Sequence, residues 1–478
     1  MSATQPQAAS APRPLLSVPR PPGLPLLGNA LQIKSESFHQ QLEAWERKYG
    51  QTFAFRIGSR RFLAVSDPDV IAAVLRQRPG TFNRGPRLEQ VAKEVGFHGL
   101  FSSNGETWKR QRPMVLAGLD PSHTRTFLPA IADVTGRLKT RWELAAGSGA
   151  SIDLLSDLMR YTVDVTTCLA FGKNLNTLEQ GDGAAIQQHL NVIFPALMKR
   201  LLTPVDFRRW IKDKGIARHV EALRVDVAGF IDAARKQLAD EPQLREKPRN
   251  LIQALVAAKD RGEGGITDAE LSGNVLTMLL AGEDTTANTL AWMTWLLFTN
   301  PQALARARDE VDRLMPKGNV VGTVEQLSAL QEVEACAHEA MRLRPVAPFN
   351  ILHAGEDVVV GGVMVPKGAF VVCLMRPAGL EPSNFPQPNA YDPARWRSAE
   401  DGSLKAMSSA KRVSMPFGAG PRMCPGRYLA LTEIKMVAAM LLSNFEIEDV
   451  SAPGGGAPAE KLSLTMAPVG LRMKLRLR

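Results

Sequence analysis

The run of residues from Phe417 to Gly426 carries the clearest chemistry in the sequence. Its residues are Phe-Gly-Ala-Gly-Pro-Arg-Met-Cys-Pro-Gly, and an apolar helical pattern follows them. The pattern predicts a helix start at Cys424 with Pro425 in the first helical position, where backbone N–H groups favour a thiolate over a thiol. The glycines let the backbone approach a bulky flat group closely, and Arg422 adds positive charge. An anionic sulfur in such a loop suits a soft metal ion.

Two other interpretations of Cys424 stay open on these residues alone. Free cysteine is common in protein cores, so the sulfur could be buried and inert. It could also be a catalytic nucleophile, which requires a histidine base. The chain has 7 histidines, and none of them lies in an obvious partner motif. The coincidence of glycines, arginine and helix start favours the metal ligand.

A second candidate site interrupts a long apolar helix. The segment Thr267–Glu270 is a capping box, which predicts a helix that extends to about Thr299. Near its middle, residues 282–286 are Gly-Glu-Asp-Thr-Thr. We expect the Thr285 hydroxyl to bond the carbonyl of Ala281, four residues earlier. Glycine and polar residues at this position lower helix stability and indicate function, although a solvent-facing polar face is the alternative.

A carboxylate and a guanidinium three residues apart form the third candidate. The pattern predicts a helix over Ser328–Leu343, with Ser328 as N-cap and Gln331 completing a capping box. Glu339 and Arg342 would share one face of this helix. Taken alone, they would be a surface salt bridge worth at most about 1 kcal/mol.

Together these segments resemble the cytochrome P450 superfamily, the haem-thiolate monooxygenases. The resemblance covers about residues 20 to 478 and follows the family's motif order. The matching segments are Trp108–Arg112 (WxxxR), Ala281–Thr285 (AGxDT), Glu339–Arg342 (ExxR), Asp392–Trp396 (PxRF/W) and Phe417–Gly426 (FGxGxRxCxG).

The resemblance implies a haem b cofactor whose iron is bound by Cys424. Trp108, Arg112 and Arg422 would bind the haem propionates, and His353 stands where the family usually has an arginine or histidine for this role. The full set of implied haem-binding residues is Trp108, Arg112, Ala281, Gly282, His353, Phe417, Gly418, Arg422, Cys424 and Gly426.

The resemblance also implies two groups of supporting residues. Asp284 and Thr285 would form the catalytic acid–alcohol pair, in which Thr285 steadies bound oxygen and Asp284 relays protons from water. Ala281 and Gly282 would leave room for oxygen beside the helix. A buried structural network would hold the cysteine loop, and its members would be Glu339, Arg342 and Arg395.

The elements that position these residues are mainly helices. Between about residues 120 and 345 the pattern is almost all helical, and the fold class is therefore mainly α with small β-sheets. The resemblance implies the cytochrome P450 fold, with haem between a long central helix and the helix that follows the cysteine loop. Further predicted helices cover Phe38–Tyr49 and Pro425–Leu442, and another helix begins at Pro68. The predicted strands are Thr52–Ile57, Arg61–Val65, Val358–Val360 and Ala369–Leu374, together with a C-terminal strand pair within Lys461–Arg478.

Composition limits the other possibilities. Prolines crowd residues 1–25, which predicts an extended or disordered lead-in followed by a single domain over residues 26–478. The 4 cysteines are too few for a disulfide scaffold, and their wide spacing, with no CxxC pair, does not indicate a structural zinc site. A cytoplasmic location is expected. The sequence contains no apolar run of 18 or more residues, so a membrane-spanning anchor is not expected. The net charge of +10 comes without a nucleic-acid recognition motif.

The resemblance implies a soluble, bacterial-type monomer that inserts one atom of O₂ into a small apolar organic molecule by hydroxylation or epoxidation. Electrons would come from NAD(P)H through a separate ferredoxin- or flavodoxin-type donor and its reductase. A haem-thiolate isomerase or dehydratase that needs no external electrons, and a non-catalytic haem gas sensor, are the alternatives.

Two surfaces are assigned by position. The expected substrate pocket comprises Leu88–Phe101, residues around Phe194–Leu201, Met278, Ala281, Val346–Ile351 and residues around Met466–Val469. The expected docking surface for an acidic electron carrier comprises Lys109, Arg110, Lys411, Arg412 and Arg427.

Overall fold

The computed structural model describes residues 11–94, 96–119, 121–179, 188–189, 192–193, 196, 200, 214–262, 265–316, 318–397 and 410–478. The helices in this part of the chain are α1 (Phe38–Tyr49), α2 (Pro68–Arg76), α3 (Pro86–Glu94), α4 (Gly105–Gly118), α5 (Pro121–Ser148), α6 (Leu154–Phe171), α7 (Lys214–Asp240), α8 (Leu251–Asp260), α9 (Asp268–Thr299), α10 (Pro301–Leu314), α11 (Val324–Ala329), α12 (Gln331–Leu343) and α13 (Arg427–Asn444).

The strands are short and form small sheets, as the sequence predicts. They are β1 (Arg13–Pro14), β2 (Thr52–Ile57), β3 (Arg60–Val65), β4 (Phe82–Asn83), β5 (Ile152–Asp153), β6 (Phe349–Ala354), β7 (Val358–Val360), β8 (Val363–Val365), β9 (Phe370–Leu374), β10 (Phe445–Ser451), β11 (Glu460–Leu462), β12 (Met466–Pro468) and β13 (Arg472–Leu477). The largest sheet has the order β2-β3-β9-β6-β4, and the smaller ones are β1-β8-β7, β10-β13-β5 and β11-β12.

The long helix α9 runs through the interior of the helical part. It begins with the predicted capping box, in which Thr267 and Glu270 bond each other's backbone N–H groups. Its side chains are buried on most sides, and Trp292 and Ala291 are fully enclosed. Helices α5, α6, α10, α12 and α13 share one apolar core with it. Among the described residues, no helix is both long and apolar enough to cross a membrane.

The Pro-rich lead-in is more ordered than the composition predicts. Residues 1–10 lie outside the described part of the chain. Beyond them, Arg13–Pro14 pairs in parallel with β8, and the side chains of Leu15 and Val18 are buried. Proline cannot donate to a ladder but is tolerated on an edge strand, which is the position of β1. Order therefore begins well before Leu26.

Three details of the predicted secondary structure need correction: one helix cap, one strand pairing and one helix start. The capping box assigned to Ser328 is instead formed by Thr323 and Gln326 at the start of α11, and α12 begins at Gln331 without a side-chain cap. Strands β12 and β13 flank the predicted C-terminal turn but pair with β11 and β10 respectively. Helix α13 begins at Arg427 rather than at Pro425. The backbone between Cys424 and α13 is a turn, which leaves the Gly426 N–H free to donate to the cysteine sulfur.

A buried ion network fixes the β11–β12 hairpin to the rest of the fold. Glu460, at the start of β11, accepts hydrogen bonds from Arg376 at 2.6 and 3.0 Å, from Arg344 at 3.0 Å and from His39 at 2.9 Å. Arg376 also binds Glu43 in α1 at 2.7 and 2.8 Å. The network thus joins α1, the end of α12 and the hairpin.

The same network predicts acid sensitivity. Burial alone would raise the pKa of Glu460, but the hydrogen bonds from His39 and Arg376 and the nearby arginine charges hold it well below its usual range. A depressed carboxyl pKa contributes stability above the unfolded value of about 4.5, and this stability is lost as the pH falls. We expect the wild type to lose about 2 kcal/mol more unfolding free energy between pH 6 and pH 3 than Glu460→Gln, as measured by urea unfolding. Equal losses would contradict this role.

Candidate active site

A cavity of about 340 Å³ lies between α9 and the loop that carries Cys424. This volume lies within the range of small-molecule binding sites. Most of the residues that the sequence assigns to the cofactor meet here, although the sequence places them far apart. The sequence-predicted residues that line the cavity are Trp108, Arg112, Ala281, Gly282, Thr285, Phe417, Gly418, Arg422, Cys424 and Gly426.

Cys424 is enclosed by protein but open to the cavity, so its accessible surface faces the cavity rather than bulk solvent. Its N–H donates to the carbonyl of Phe417 at 2.9 Å, which fixes the loop. Burial raises the pKa of the Cys424 thiol, although the Gly426 N–H and the charges of Arg112 and Arg427 oppose this. The position before α13 does not by itself yield the expected thiolate. A metal ion bound to the sulfur would supply the missing stabilisation.

Several guanidinium groups line one side of the cavity. Arg112 donates to the carbonyl of Met423 at 2.5 Å, and Arg422 donates to the carbonyl of Ser103 at 2.6 Å. The Arg422 guanidinium lies 4.7 Å from the centre of the Trp108 ring. These contacts hold the two predicted arginines and the tryptophan as one cationic wall.

The sequence reasoning missed two further arginines of this wall, Arg78 and Arg84. Burial, and then the neighbouring positive charges, lower the pKa of Arg84 to about 9 and that of Arg422 to about 10. The sequence indicates Arg78 and Arg84 only weakly, because both lie in loops without a recognisable motif. The cation–π contact of Arg84 with Phe101, at 4.3 Å, could not be foreseen without the fold.

The cationic wall fits the carboxylates of a bound cofactor. The Nε groups of Arg84, Arg112 and Arg422 are buried and have no hydrogen-bond acceptor within the described part of the chain. Buried cations require anionic partners. Haem carries propionate carboxylates on one edge, and Cys424 offers a sulfur ligand for its iron. The residues present therefore fit haem.

The loop glycines have reasons beyond close approach to a flat group. Gly418 and Gly420 have φ angles of +72° and +71°, a conformation that other residues rarely adopt. A Cβ atom at Gly420 would lie 2.7 Å from the Arg76 Cα atom and so strike the end of α2. At Gly426 a Cβ atom would meet no protein atom within 4 Å, so this glycine faces the cavity space.

Gly282 serves helix packing rather than oxygen access alone. Its backbone lines the cavity, but a Cβ atom there would clash with the Thr166 hydroxyl and would lie 2.9 Å from its methyl carbon. Thr166 belongs to α6, which packs closely against α9. Close contact between α6 and α9 is therefore a further reason for glycine at this position, beside the expected room for oxygen.

Gly282→Ala should destabilise the protein by about 1–3 kcal/mol through this overpacking, despite the better helix propensity of alanine. The Thr166 hydroxyl has no hydrogen-bond partner among the described residues, so Thr166→Ala alone should cost little. The double variant should recover most of the lost stability. Chemical unfolding of the three variants tests this, and a double variant no more stable than Gly282→Ala would contradict it.

The side chains of Asp284 and Thr285 point in different directions from α9. Thr285 donates to the carbonyl of Ala281 at 3.0 Å, as predicted, and it lines the cavity. Asp284 is buried outside the cavity, where it accepts hydrogen bonds from Thr465 at 2.5 Å and Asn288 at 3.3 Å. Successive helical side chains point in different directions, so adjacent residues seldom share a site. Burial raises the pKa of the Asp284 carboxyl.

The predicted structural network is present, with Glu339 and Arg342 fully buried and Arg395 partly exposed. Arg342 donates to both carboxylate oxygens of Glu339 at 2.7 Å, and Arg395 donates to one of them at 3.3 Å. The sequence did not show that the Trp396 indole also donates to Glu339, at 2.8 Å. Trp396 packs in an apolar cluster with Val413, four residues before Phe417. The network therefore reaches the cysteine loop through packing.

His353 lies outside the cavity. It belongs to β6, where its ring packs edge-on against Phe370 at 5.3 Å between centres. Asn350 of the same strand lines the cavity instead. Residues three apart on a strand point to opposite faces, which explains the difference.

The expected substrate pocket is only partly in place. Its members that line the cavity are Leu100, Phe101, Met278, Ala281, Val346, Ala347 and Asn350. Most of the segment Phe194–Leu201 falls outside the described residues. Residues Met466–Val469 do not line the cavity.

Comparison with known proteins identifies the family of the chain. The cytochrome P450 family model matches residues 18–475. Cyclooctat-9-en-7-ol 5-monooxygenase of Streptomyces melanosporofaciens is 27% identical over 456 residues, covering 93% of each chain. Rabbit (Oryctolagus cuniculus) cytochrome P450 3A6 is 25% identical over 443 residues, covering 91% of this chain and 86% of that protein.

A solved structure confirms the fold. The heme domain of cytochrome P450DA superposes with a TM-score of 0.82 at 24% identity, covering 98% of both chains. The family match extends over nearly the whole sequence, and every segment named above lies within its range. The chain therefore belongs to the cytochrome P450 family and is an oxidoreductase of the haem monooxygenase type.

Proposed function

We propose that this enzyme uses haem b, bound through Cys424, to insert one atom of O₂ into a small apolar organic molecule. The observation that carries the proposal is a single cavity with three different walls. Cys424 lies on one side, buried and half-buried guanidinium groups lie at one edge, and α9 with apolar side chains closes the rest.

The protein's own residues would bind the iron and the propionates of the haem. When bound, haem would supply the centre at which oxygen is activated. Cys424 would hold its iron, and the propionates would pair with the guanidinium groups of Arg78, Arg84, Arg112 and Arg422, together with the Trp108 indole. A fixed cation cluster of this kind binds and orients its anionic partner without rearrangement.

Thr285 is proposed to hydrogen-bond oxygen and to transfer protons at the cavity. Its hydroxyl donates to the Ala281 carbonyl in the same helix, so the oxygen atom remains able to accept one further hydrogen bond. If the hydroxyl turns from the Ala281 carbonyl towards the cavity, it can accept a proton from one partner and donate its own to the next. Asp284, the next residue, is proposed to supply that proton after a change of conformation.

The cavity wall indicates the substrate class. Aromatic and aliphatic side chains make up most of the wall beyond the cationic edge, namely Leu100, Phe101, Val115, Leu119, Phe127, Leu169, Met278 and Val346. Such a surface favours apolar ligands, because water is released when they bind. Hydroxylation or epoxidation of an apolar molecule is therefore the proposed reaction.

A ligand screen on the ferric enzyme tests this proposal. Binding of a substrate near the iron changes the spin state and shifts the absorption spectrum. We expect apolar compounds to produce this shift and the true substrate to yield an oxygenated product when electrons are supplied. If only polar or charged compounds produced the shift, the substrate class would be wrong.

A separate ferredoxin- or flavodoxin-type protein, reduced by NAD(P)H through its reductase, is proposed as the electron donor. Arg427 lies beside the cysteine loop, with a guanidinium nitrogen 3.2 Å from the Met423 sulfur, and Lys411 is exposed nearby in sequence. The rest of the expected basic surface is partly neutralised. Lys109 pairs with Glu106, Arg110 with Glu270, and Arg412 with Asp69.

Electrostatic docking predicts a salt effect on reduction. The rate of reduction by an acidic ferredoxin should fall as the salt concentration rises, and Arg427→Glu should slow it at low salt. A rate that is independent of both would argue against this docking surface. The free cysteines of the chain are compatible with a cytoplasmic site of action, which we include in the proposal.

A further inference from the structure

The position of Asp284 carries an inference beyond its assigned role. Three buried polar side chains, Asp284, Asn288 and Thr465, form a closed triangle, and each is less than 9% exposed. The Thr465 hydroxyl donates to the Asp284 carboxylate at 2.5 Å. The Asn288 amide donates to Thr465 at 2.9 Å and to the other Asp284 oxygen at 3.3 Å.

Within the described part of the chain, only the neutral side chains of Asn288 and Thr465 donate hydrogen bonds to Asp284, and this carboxyl forms no ion pair there. A hydroxyl and an amide stabilise a carboxylate less than a cation does. Asp284 can therefore take up a proton more readily than a salt-bridged carboxyl. It is suited to hold a proton, but in this arrangement it does not face the cavity that Thr285 lines.

Thr465 is held rigidly in its place. It lies immediately before β12, where the Met466 N–H donates to the Val346 carbonyl at 2.8 Å. The Trp292 indole, two turns beyond Asp284 on α9, donates to the Met466 carbonyl at 3.2 Å. Because the hairpin is anchored on both sides, Asp284 is the partner that must move when the triangle opens.

We propose that Thr465, together with Asn288, is a positioning residue that holds the Asp284 carboxyl outside the cavity, and that Asp284 must leave Thr465 before it can deliver a proton towards Thr285. The inference rests on the proposed function, in which Asp284 is the proton source. The overall reaction converts the second oxygen atom to water and so takes up protons. Each proton that Asp284 gives up would be replaced from solvent when the carboxyl returns to Thr465.

Thr465→Val tests this, because valine keeps the shape and removes the hydroxyl. With electrons supplied in excess, we expect product formation to rise at least about threefold, since the protonated carboxyl no longer has to break its hydrogen bond with the Thr465 hydroxyl before it moves. The solvent deuterium isotope effect on product formation should fall. In a crystal structure of the variant, the Asp284 carboxyl should point into the cavity. Thr465→Ser, which restores the hydroxyl, should behave as the wild type.

Matched controls keep the test sharp. Thr294→Val also removes a buried hydroxyl of α9, but among the described residues that hydroxyl bonds only the carbonyl of Leu290, so no effect is expected. Asn288→Leu removes the third side of the triangle and should act in the same direction as Thr465→Val. Intact protein in every sample is measured from the reduced, carbon monoxide-treated spectrum, so poor folding is not mistaken for slow turnover.

Failure of Asp284 as the proton source and failure of Thr465 as a positioning residue give different results. If Asp284→Asn forms product at the wild-type rate, Asp284 is not the proton source, and this part of the proposed function falls. If Asp284→Asn is slow while Thr465→Val leaves the rate, the isotope effect or the Asp284 position unchanged, the positioning role of Thr465 is wrong. Slower turnover with a larger isotope effect in Thr465→Val would also overturn it, because Thr465 would then be part of the relay.

Discussion

Replacing Glu339 by glutamine should leave little folded, haem-loaded protein. The Glu339 carboxylate accepts bonds from Arg342, Arg395, the Trp396 indole and the Asp392 N–H. Glutamine has a similar shape, but its amide nitrogen would face donors and its charge would be lost. Removing one partner of a buried ion pair costs about 3–5 kcal/mol, because the other charge stays buried. Total stabilities are about 5–15 kcal/mol, so the loss is severe.

The yield of soluble protein, its haem content and its urea unfolding midpoint measure this effect. Glu106→Gln is the matched control, because Glu106 pairs with Lys109 on the exposed surface. Exposed pairs contribute at most about 1 kcal/mol, so the control should be close to wild type. A Glu339→Gln protein with normal haem content and midpoint would show that the network does not support the cysteine loop.

Thr285→Ala should separate electron use from product formation. The variant should still consume NAD(P)H and O₂ when an electron donor is present, because no residue proposed to bind the haem is changed. Without the hydroxyl, protons would no longer reach oxygen in an ordered way. We expect product per NAD(P)H to fall by about tenfold, less than the roughly 10²–10⁴-fold contribution of a proton-transfer group, because protons can still arrive by slower routes. The missing electrons should appear as hydrogen peroxide or water.

Two variants control for this result. Thr285→Ser keeps a hydroxyl and should restore most of the coupling. Thr289→Ala removes another hydroxyl of the cavity wall, one that donates at 2.8 Å to the Thr285 carbonyl, and it should leave coupling close to wild type. Unchanged coupling in Thr285→Ala would remove Thr285 from the proton path.

Local signals in the sequence predicted much of the secondary structure. Helix α1, strands β2 and β3 and the start of α2 at Asp67-Pro68 follow from periodicity, glycine turns and capping. The cap at Asp67 is confirmed, since its side chain accepts from two backbone N–H groups at 2.9 Å. Strand β6 was missed, because its neighbours in the sheet are distant in the sequence.

The candidate site was predictable where a motif fixes the geometry. Each of the residues that meet at the cavity could be named in advance when it belongs to a short, recognisable pattern. This holds for Cys424, Arg422, Trp108 and Arg112. The contribution of Arg84 depends on a loop that folds back over Phe101, and no local pattern encodes it.

The direction of a side chain was harder to predict than its place in the chain. Asp284 was correctly placed on the central helix, but its partner Thr465 is 181 residues away. Gly282 was correctly singled out, yet the reason lies in Thr166 of another helix. Such contacts arise only when the elements pack together, and for this reason the sequence could name the residues without giving their geometry.

The central claim is that Cys424 is the thiolate ligand of a haem iron. The most direct measurement is the absorption spectrum of the purified, reduced protein after treatment with carbon monoxide, recorded for the wild type and for Cys424→Ser. The wild type should show the red-shifted Soret band of thiolate ligation, and the variant should lack it. A wild-type spectrum without that band, or a Cys424→Ser protein that retains it, would contradict the claim.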